Sequence, residues 1–243
     1  MRAVIAAAGR GKRLMPLTAE TPKPLIPIQG TRLLEYILRG LRWAGILEAI
    51  IVVRHLGDKI KEAYGSGSEL GMKLEYVWQA GPDGTGSAVL AAEALVGEEL
   101  FMLVWGDVLM DPENYRRIQA VYSARPCDLL SGLNWLDDPS TGAAVYVDED
   151  RIADIEEKPR AGRARTHWNQ AGLFVCTKEV PAALRECGLS LRDEIEFTSA
   201  VQNLISSGRD VRWMPVEGFW SDVGTPEALA RLNAESAVKD LLR

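Results

Sequence analysis

Cysteine and histidine are scarce in this 243-residue sequence, which contains three cysteines and two histidines. Cys127, Cys176 and Cys187 are odd in number and widely spaced, and CxxC pairs of the kind that ligate zinc do not occur. The sequence therefore gives little support to a disulfide framework or a structural zinc site. We expect buried free thiols and a reducing, cytoplasmic location.

Long apolar runs and an excess of positive charge are also lacking. No stretch approaches the roughly 18 consecutive apolar residues that a membrane helix needs, and the apolar run near the N-terminus is too short for a signal peptide. Lys and Arg number 28 against 34 Asp and Glu, which gives a net charge of -6. Because a nucleic-acid backbone requires clustered excess cations, we expect neither a membrane nor a nucleic acid as partner. Small anions remain candidate ligands, since a few convergent cations can bind a phosphate.

Apolar strand-like segments alternate with amphipathic helical stretches in the first half of the chain, which is typical of βαβ units with helices on both faces of a sheet. Segments 50–53 and 101–104 are apolar throughout and predict central strands. After Cys127 strand-like segments follow one another with little helix between them, which predicts a mixed sheet there. We expect a single α/β domain, residues 1–243, with a mostly parallel, partly mixed central sheet.

The end of the chain predicts a last helix over residues 226–243. Thr225 is suited to the N-cap position and Pro226 to the first helical position.

A glycine-rich, basic loop follows the first predicted strand and reads AAAGRGKRLMPLTAETPKPLIPI over residues 6–28. Gly9 and Gly11 permit positive φ and let backbone N–H groups approach an anion closely. The loop also carries four cations, Arg10, Lys12, Arg13 and Lys23. Phosphates are therefore its natural ligands. The dinucleotide fingerprint GxGxxG fails at Leu14, and GxxxxGK[ST] does not occur, so a nicotinamide-dependent oxidoreductase is disfavoured.

Three further features predict polar groups at strand ends. Asp107 in WGD and Asp222 in WSDVGTPEAL are carboxylates beside apolar strands, a costly position unless each is paired, caps a loop or coordinates a cation that bridges phosphates. Gln79 opens QAGPDGTGSAV, and its amide can donate and accept at once, as a nucleobase edge requires. The alternative for Gln79 is an exposed strand end before a routine PDG turn.

The strings GRGKRLMPLT and PKPLIPI resemble the signature of the sugar-phosphate nucleotidyltransferase family, and later motifs extend the resemblance to about Leu229. The resemblance implies a three-layer α/β/α, Rossmann-like fold. It also implies a nucleotide-binding half over residues 1–126 and a sugar-phosphate-binding half over residues 127–243. The implied reaction transfers a nucleoside monophosphate from a triphosphate to a sugar 1-phosphate and releases pyrophosphate.

The same resemblance implies roles for individual residues. Arg13 and Lys23 would be the catalytic cations, and Asp107 and Asp222 would hold Mg²⁺. The residues implied for the nucleotide are Ala6, Ala8, Gly9, Gly11, Gln79 and Gly84. Those implied for the sugar phosphate, from IEEKPRAG and WNQAGLFV, are Glu157, Lys158, Asn169 and Gly172, although NQAG is spaced differently from the commoner NAG. Asp193, Glu194 and Glu196 would line the sugar side.

Several alternatives stay open at this stage. The Gln79 motif resembles those of thymidylyl- and uridylyltransferases more than those of guanylyltransferases, which implies dTTP or UTP with glucose 1-phosphate. A cytidylyl- or guanylyltransferase acting on another sugar or cyclitol phosphate is the runner-up. A non-catalytic regulatory paralogue that binds sugar nucleotides is the alternative of a different class. A homo-oligomer would agree with the family, and a second, acetyltransferase activity is not expected.

Overall fold

The computed structural model of the protein describes residues 1–81 and 83–242. Pro82, inside the QAGPDGTGSAV motif, and Arg243, at the end of the predicted last helix, lie outside the described residues.

Strands and helices alternate along most of the chain. The strands are β1 (Arg2–Ala6), β2 (Pro27–Ile28), β3 (Thr31–Arg32), β4 (Glu48–Val53), β5 (Lys73–Trp78), β6 (Phe101–Trp105), β7 (Val108–Met110), β8 (Leu129–Trp135), β9 (Ala143–Asp148), β10 (Arg151–Glu157), β11 (Trp168–Cys176), β12 (Val211–Pro215) and β13 (Trp220–Asp222). The α-helices are α1 (Leu33–Trp43), α2 (Gly57–Tyr64), α3 (Thr85–Val96), α4 (Glu113–Ala124), α5 (Glu179–Glu186), α6 (Phe197–Ser206) and α7 (Pro226–Ala234).

One nine-stranded sheet runs through the molecule in the order β5-β4-β1-β6-β11-β8-β12-β10-β9. Strands β5, β4, β1 and β6 are parallel, as are β8 and β12, and the other neighbours are antiparallel. Parallel pairing is concentrated in the first half because helices connect its successive strands, as parallel neighbours require. The predictions of a mixed sheet and of central strands at 50–53 and 101–104 are confirmed.

Helices cover both faces of this sheet. Helices α1, α2 and α4 pack on one face, where Ile5 and Ile51 point, and α3, α5 and α6 pack on the other, where Val4 and Ile50 point. Successive strand residues thus enter opposite cores, which is why the central strands are apolar throughout. The three-layer α/β/α fold is confirmed.

The predicted last helix is correct at its start and wrong in its length. Thr225 accepts a hydrogen bond from the backbone N–H of Ala228, as an N-cap does. Helix α7 ends at Ala234, and a 3-10 helix follows over Ser236–Leu241. The break lets Val238 and Leu241 reach a third apolar cluster beside the small β7–β13 sheet.

Helices α4, α5 and α6 were not anticipated from the sequence pattern. Cys127 and Cys176 are buried free thiols, as expected, whereas Cys187 is half-buried. In the part of the chain that the structure describes, no helix has the length and apolarity to cross a bilayer.

Candidate active site

A cleft of about 850 Å³ opens where β1 and β6 end and where the chain leaves β5. The carboxyl ends of parallel strands are where open α/β sheets bind ligands. The predicted site residues that line the cleft are Ala6, Ala8, Gly9, Gly11, Arg13, Lys23, Gln79, Gly84, Asp107, Glu157, Lys158, Asn169 and Asp222. Residues from both halves of the sequence therefore meet in one cavity.

The glycine-rich loop forms one wall, and Gly11 is the residue that shapes it. Gly11 has a φ of 61° and precedes a 3-10 helix over Lys12–Leu14. Thr18 donates a hydrogen bond from its hydroxyl to the Gly11 carbonyl at 2.9 Å. A Cβ on Gly11 would lie 2.8 Å from Thr18 Cγ2, so this approach requires glycine.

Lys23 and Asp107 form an ion pair at the floor of the cleft. The distance from Lys23 Nζ to Asp107 Oδ2 is 2.7 Å. The Lys23 side chain is 9% exposed and that of Asp107 is 44% exposed. The lysine is thus held in place by its neighbours, while the carboxylate still opens onto the cleft.

Asp222 comes beside Asp107 because β13 pairs with β7. Asp222 is opposite Val108 in that small sheet, and the backbone N–H of Val223 donates to the Asp107 carbonyl at 2.8 Å. A Cβ on Gly224 would lie 2.5 Å from Asp222 Oδ2 and 2.8 Å from Arg13 Nη2. Glycine at this position therefore lets the guanidinium and the second carboxylate approach the same point.

This donor set fits a divalent cation bound together with a phosphate ligand. Two carboxylates supply oxygen ligands. Proteins usually contribute one or two carboxylates to Mg²⁺ at sites where the ion also binds phosphates. Among residues 1–81 and 83–242 there is no group of three or more His, Cys, Asp or Glu side chains that could hold a metal ion. The remaining ligands would therefore come from phosphate oxygens and water.

The predicted base-binding residues lie on a loop that the other half of the chain holds in place. Gln79 is buried, and its Nε2 donates to the Gly84 carbonyl at 3.4 Å. Gly84 has a φ of 114°, and a Cβ there would lie 2.2 Å from the Ile195 carbonyl oxygen. The backbone N–H of Gly86 donates to that oxygen, and the Ile195 N–H donates to the Asp83 carbonyl. Asp83 also pairs with Arg54.

The opposite end of the cleft carries Glu157 and Lys158. Lys158 has a φ of 45°, and its backbone N–H donates to the Gly142 carbonyl at 2.7 Å. Arg192, which also lines the cleft, contacts Glu157 at 3.0 Å and Glu196 at 2.7 Å. This end of the cleft, which is predicted to bind the sugar phosphate, is thus a network of paired charges.

Asn169 lies at the cleft wall, where protein groups already occupy its amide. Its Oδ1 accepts from the Ala143 N–H at 3.0 Å, and its Nδ2 donates to Asn134 Oδ1 and to the Gln170 carbonyl. In this structure Asn169 joins the start of β9 to β11. A direct contact of Asn169 with a sugar stays a prediction.

Gly172 lies beneath the indole of Trp105, which itself lines the cleft. Gly172 has a φ of 80°, and a Cβ there would lie 2.7 Å from the Trp105 ring. Its conformation thus makes room for that ring, and a sugar contact by Gly172 likewise stays a prediction.

Sequence reasoning missed several residues that line the cleft, among them Gln170, Thr198, Arg192 and Arg231. Gln170 is fully buried, and neither its Nε2 nor its Oε1 has a hydrogen-bond partner among the described residues. Its position next to Asn169 in the NQAG string could have identified Gln170 as a cleft-lining residue. Arg231 belongs to no motif and reaches the cleft only through the packing of α7.

Comparison with known proteins places this arrangement in a family. The family model described as nucleotidyl transferase matches residues 2–238. Glucose-1-phosphate thymidylyltransferase from Streptomyces griseus is 33% identical over 96% of this chain and 65% of its own length. The Streptomyces antibioticus protein of the same name is 30% identical over 99% of this chain and 67% of its own length. The chain thus spans about two thirds of the length of these relatives.

A solved structure supports the same assignment. A candidate glucose-1-phosphate thymidylyltransferase from Bacillus anthracis, in complex with sucrose, superimposes with a TM-score of 0.88 at 26% identity. The match covers 99% of this chain and 96% of that one. The fold, the cleft and these matches agree, and the chain belongs to the nucleotidyl transferase family.

Proposed function

We propose that the protein transfers a nucleoside monophosphate from a nucleoside triphosphate to a sugar 1-phosphate and releases pyrophosphate. One observation carries the proposal: two cations and two carboxylates distant in sequence, Lys23 with Asp107 and Arg13 with Asp222, converge beside the glycine-rich loop. The names of the Streptomyces relatives point to the same reaction class.

The chemistry requires positioning and charge neutralisation rather than a general base. An oxygen of the sugar phosphate is already ionised near neutral pH and forms a bond to the α-phosphorus, while the bond from that phosphorus to the β-phosphate oxygen breaks. Negative charge accumulates on the leaving pyrophosphate. Arg13 and Lys23 would stabilise that charge and hold the phosphates for in-line attack.

Asp107 and Asp222 would hold a divalent cation, for which we propose Mg²⁺. Sugar nucleotidyltransferases generally use a divalent metal ion. Such an ion neutralises phosphate charge when bound. The pairing of Lys23 with Asp107 keeps that carboxylate aimed at the cleft.

For the substrates we propose dTTP or UTP with glucose 1-phosphate. The names of the Streptomyces relatives support this choice, and so does the resemblance of the Gln79 motif to those of thymidylyl- and uridylyltransferases. Cytidylyl or guanylyl transfer to another sugar or cyclitol phosphate is the second candidate. A regulatory paralogue is disfavoured, since Arg13, Lys23, Lys158, Asp107 and Asp222 are all present.

The proposal extends to the organisation of the chain. Residues 1–126 would supply most of the contacts to the nucleotide and residues 127–243 most of those to the sugar phosphate, in a cytoplasmic protein. Self-association is a further expectation, which size-exclusion chromatography with light scattering would test.

The test is pyrophosphate release with Mg²⁺ across five nucleoside triphosphates and several sugar and cyclitol phosphates. We expect one productive pair, which would fix base and acceptor together. Binding of a triphosphate without turnover of any acceptor would overturn the proposed reaction and favour the regulatory alternative.

A further inference from the structure

Arg231 is a cation on the cleft wall that none of the motifs accounts for. It lies on α7, is exposed, and lines the same cleft as Arg13 and Asp222. Its Nη2 donates to Ser221 Oγ at 3.0 Å, and Ser221 directly precedes Asp222. This hydrogen bond attaches the guanidinium to the strand that carries the second carboxylate.

The charges in the cleft divide into paired and unpaired groups. Toward the sugar end, Lys158 and Arg192 pair with carboxylates, and Lys23 pairs with Asp107. Around the glycine-rich loop and α7, by contrast, four cleft-lining cations have no carboxylate within 4.0 Å among the residues that the structure describes. These are Arg10, Lys12, Arg13 and Arg231.

Unpaired cations on two sides of a cleft match a ligand with several negative charges. A triphosphate or pyrophosphate meets that requirement, whereas a single phosphate can be neutralised by fewer groups. Arg10, Lys12 and Arg13 come from one loop, and Arg231 approaches from the β13–α7 side, where Gly224 brings Arg13 Nη2 close to Asp222. The two sets therefore flank the carboxylates.

We propose that Arg231 binds the β- and γ-phosphates of the incoming triphosphate, and hence the pyrophosphate that leaves. The inference rests on the proposed function for its role in turnover, but binding alone can test it. The guanidinium is suited to the task because its planar donors can contact two phosphate oxygens at once. Ser221 restricts its orientation before the ligand arrives.

The first measurement is calorimetric titration of inorganic pyrophosphate, a probe that does not depend on the base, into the wild type and Arg231→Gln. The amide introduced by this substitution would keep a donor for Ser221 Oγ but remove the charge. We expect pyrophosphate to bind about 5-fold more weakly to this variant, the size of effect typical of one exposed charge-assisted contact. Arg231→Lys should recover part of the loss, since it restores the charge without the planar fork.

A nucleoside monophosphate separates this role from a general loss of charge. UMP lacks the β- and γ-phosphates, so its affinity should be the same in the wild type and Arg231→Gln. Arg209→Gln is the matched control, because Arg209 pairs with Glu179 rather than lining the cleft, and its pyrophosphate affinity should not change. Thermal unfolding checks that each variant folds.

Equal pyrophosphate affinities in the wild type and Arg231→Gln would overturn the inference, and so would a wild type that does not bind pyrophosphate. An equal loss of UMP and pyrophosphate affinity would also overturn it, because the contact would then not be to the β- and γ-phosphates. Failure of the proposed reaction is a separate result: no turnover with any acceptor, whatever the effect of Arg231 on pyrophosphate binding.

Discussion

Lys23 Nζ donates a hydrogen bond to Asp107 Oδ2 at 2.7 Å, although 84 positions separate the two residues in the sequence. The lysine comes from the loop after β1 and the aspartate from the turn after β6, and these strands are parallel neighbours. The ends of adjacent strands thus bring a cation and a carboxylate to one point of the cleft. Each holds the other where phosphates would bind.

Replacement of either partner should abolish most of the activity. Lys23→Ala removes a cation that would stabilise phosphate charge, and Asp107→Ala removes a proposed metal ligand. We expect each to lower turnover by at least about 100-fold, since the loss of one preorganised electrostatic group has effects of this size. Pyrophosphate release measures the loss.

The control for this pair is Lys73→Ala. Lys73 is an exposed lysine on β5 that pairs with Glu48 and Glu75 away from the cleft, so its removal should leave turnover unchanged. Near-normal turnover in Lys23→Ala or Asp107→Ala would contradict the assignment of the site.

Much of the fold and of the glycine-rich wall of the cleft could be predicted, because those features are local in sequence. Gly9, Gly11 and Lys23 occupy one loop, and alternating apolar segments indicate the layers directly. The convergence of Asp107 with Asp222 was also predicted, through the family resemblance, and the pairing of β7 with β13 brings it about.

The proposed sugar-binding end of the cleft was less predictable because its contacts are not local in sequence. The amide of Asn169 is occupied by partners on β8, β9 and β11, and Gly172 accommodates the Trp105 ring from β6. Neither the hydrogen bonds of Asn169 nor the packing of Gly172 against Trp105 can be recognised from a sequence motif. Arg231 reaches the cleft because α7 packs beside β13. Sequence motifs do not predict this packing.

The contact between Gly84 and Ile195 predicts a steric requirement for glycine in the proposed base-binding loop. In Gly84→Ala the new methyl would meet the Ile195 carbonyl at 2.2 Å, and the backbone must shift because neither group is a flexible side chain. We expect the KM for the nucleoside triphosphate to rise about 10-fold or more, as misplaced binding groups lose their contacts. Initial rates at varied triphosphate concentration measure it.

Gly81→Ala is the control that separates the steric clash with Ile195 from the strain of a positive φ in a residue other than glycine. Gly81 also has a positive φ, of 78°, but a Cβ there would meet nothing within 4 Å. This substitution should cost only the strain of a non-glycine residue, roughly 1 kcal/mol of folding stability. If Gly84→Ala and Gly81→Ala had the same KM for the triphosphate, the contact with Ile195 would not determine the conformation of this loop.

Removal of divalent ions should stop turnover, and Mg²⁺ should restore it. With Asp222→Asn, which keeps the shape of the side chain and removes its charge, the Mg²⁺ concentration for half-maximal rate should rise about 10-fold, because hard cations prefer carboxylate oxygens. Asp148→Asn, at the end of β9 and outside the cleft lining, is the control. Full activity in excess chelator would refute a metal requirement.

The buried thiol of Cys127 predicts a loss of stability at alkaline pH. Burial, with the nearby Asp210 carboxylate, raises the pKa of Cys127 from 9.0 to about 11. Below pH 9 the thiol is protonated in both folded and unfolded protein, so it contributes no pH dependence there. Between about pH 9 and pH 11 the unfolded chain loses the proton while the folded protein keeps it, so the free energy of unfolding falls as pH rises.

This loss should amount to roughly 2 kcal/mol for Cys127 across that interval. Burial also raises the pKa of Cys176, which adds a loss of the same sign. Urea unfolding at pH 8, 9, 10 and 11 would measure the slope, and Cys127→Ala should make it shallower while retaining the contribution of Cys176. The comparison cancels the titration of tyrosines, which both proteins share. If the free energies of unfolding of the wild type and Cys127→Ala fell in parallel up to pH 11, the pKa of Cys127 would be the same in the folded and unfolded protein. That result would contradict the prediction.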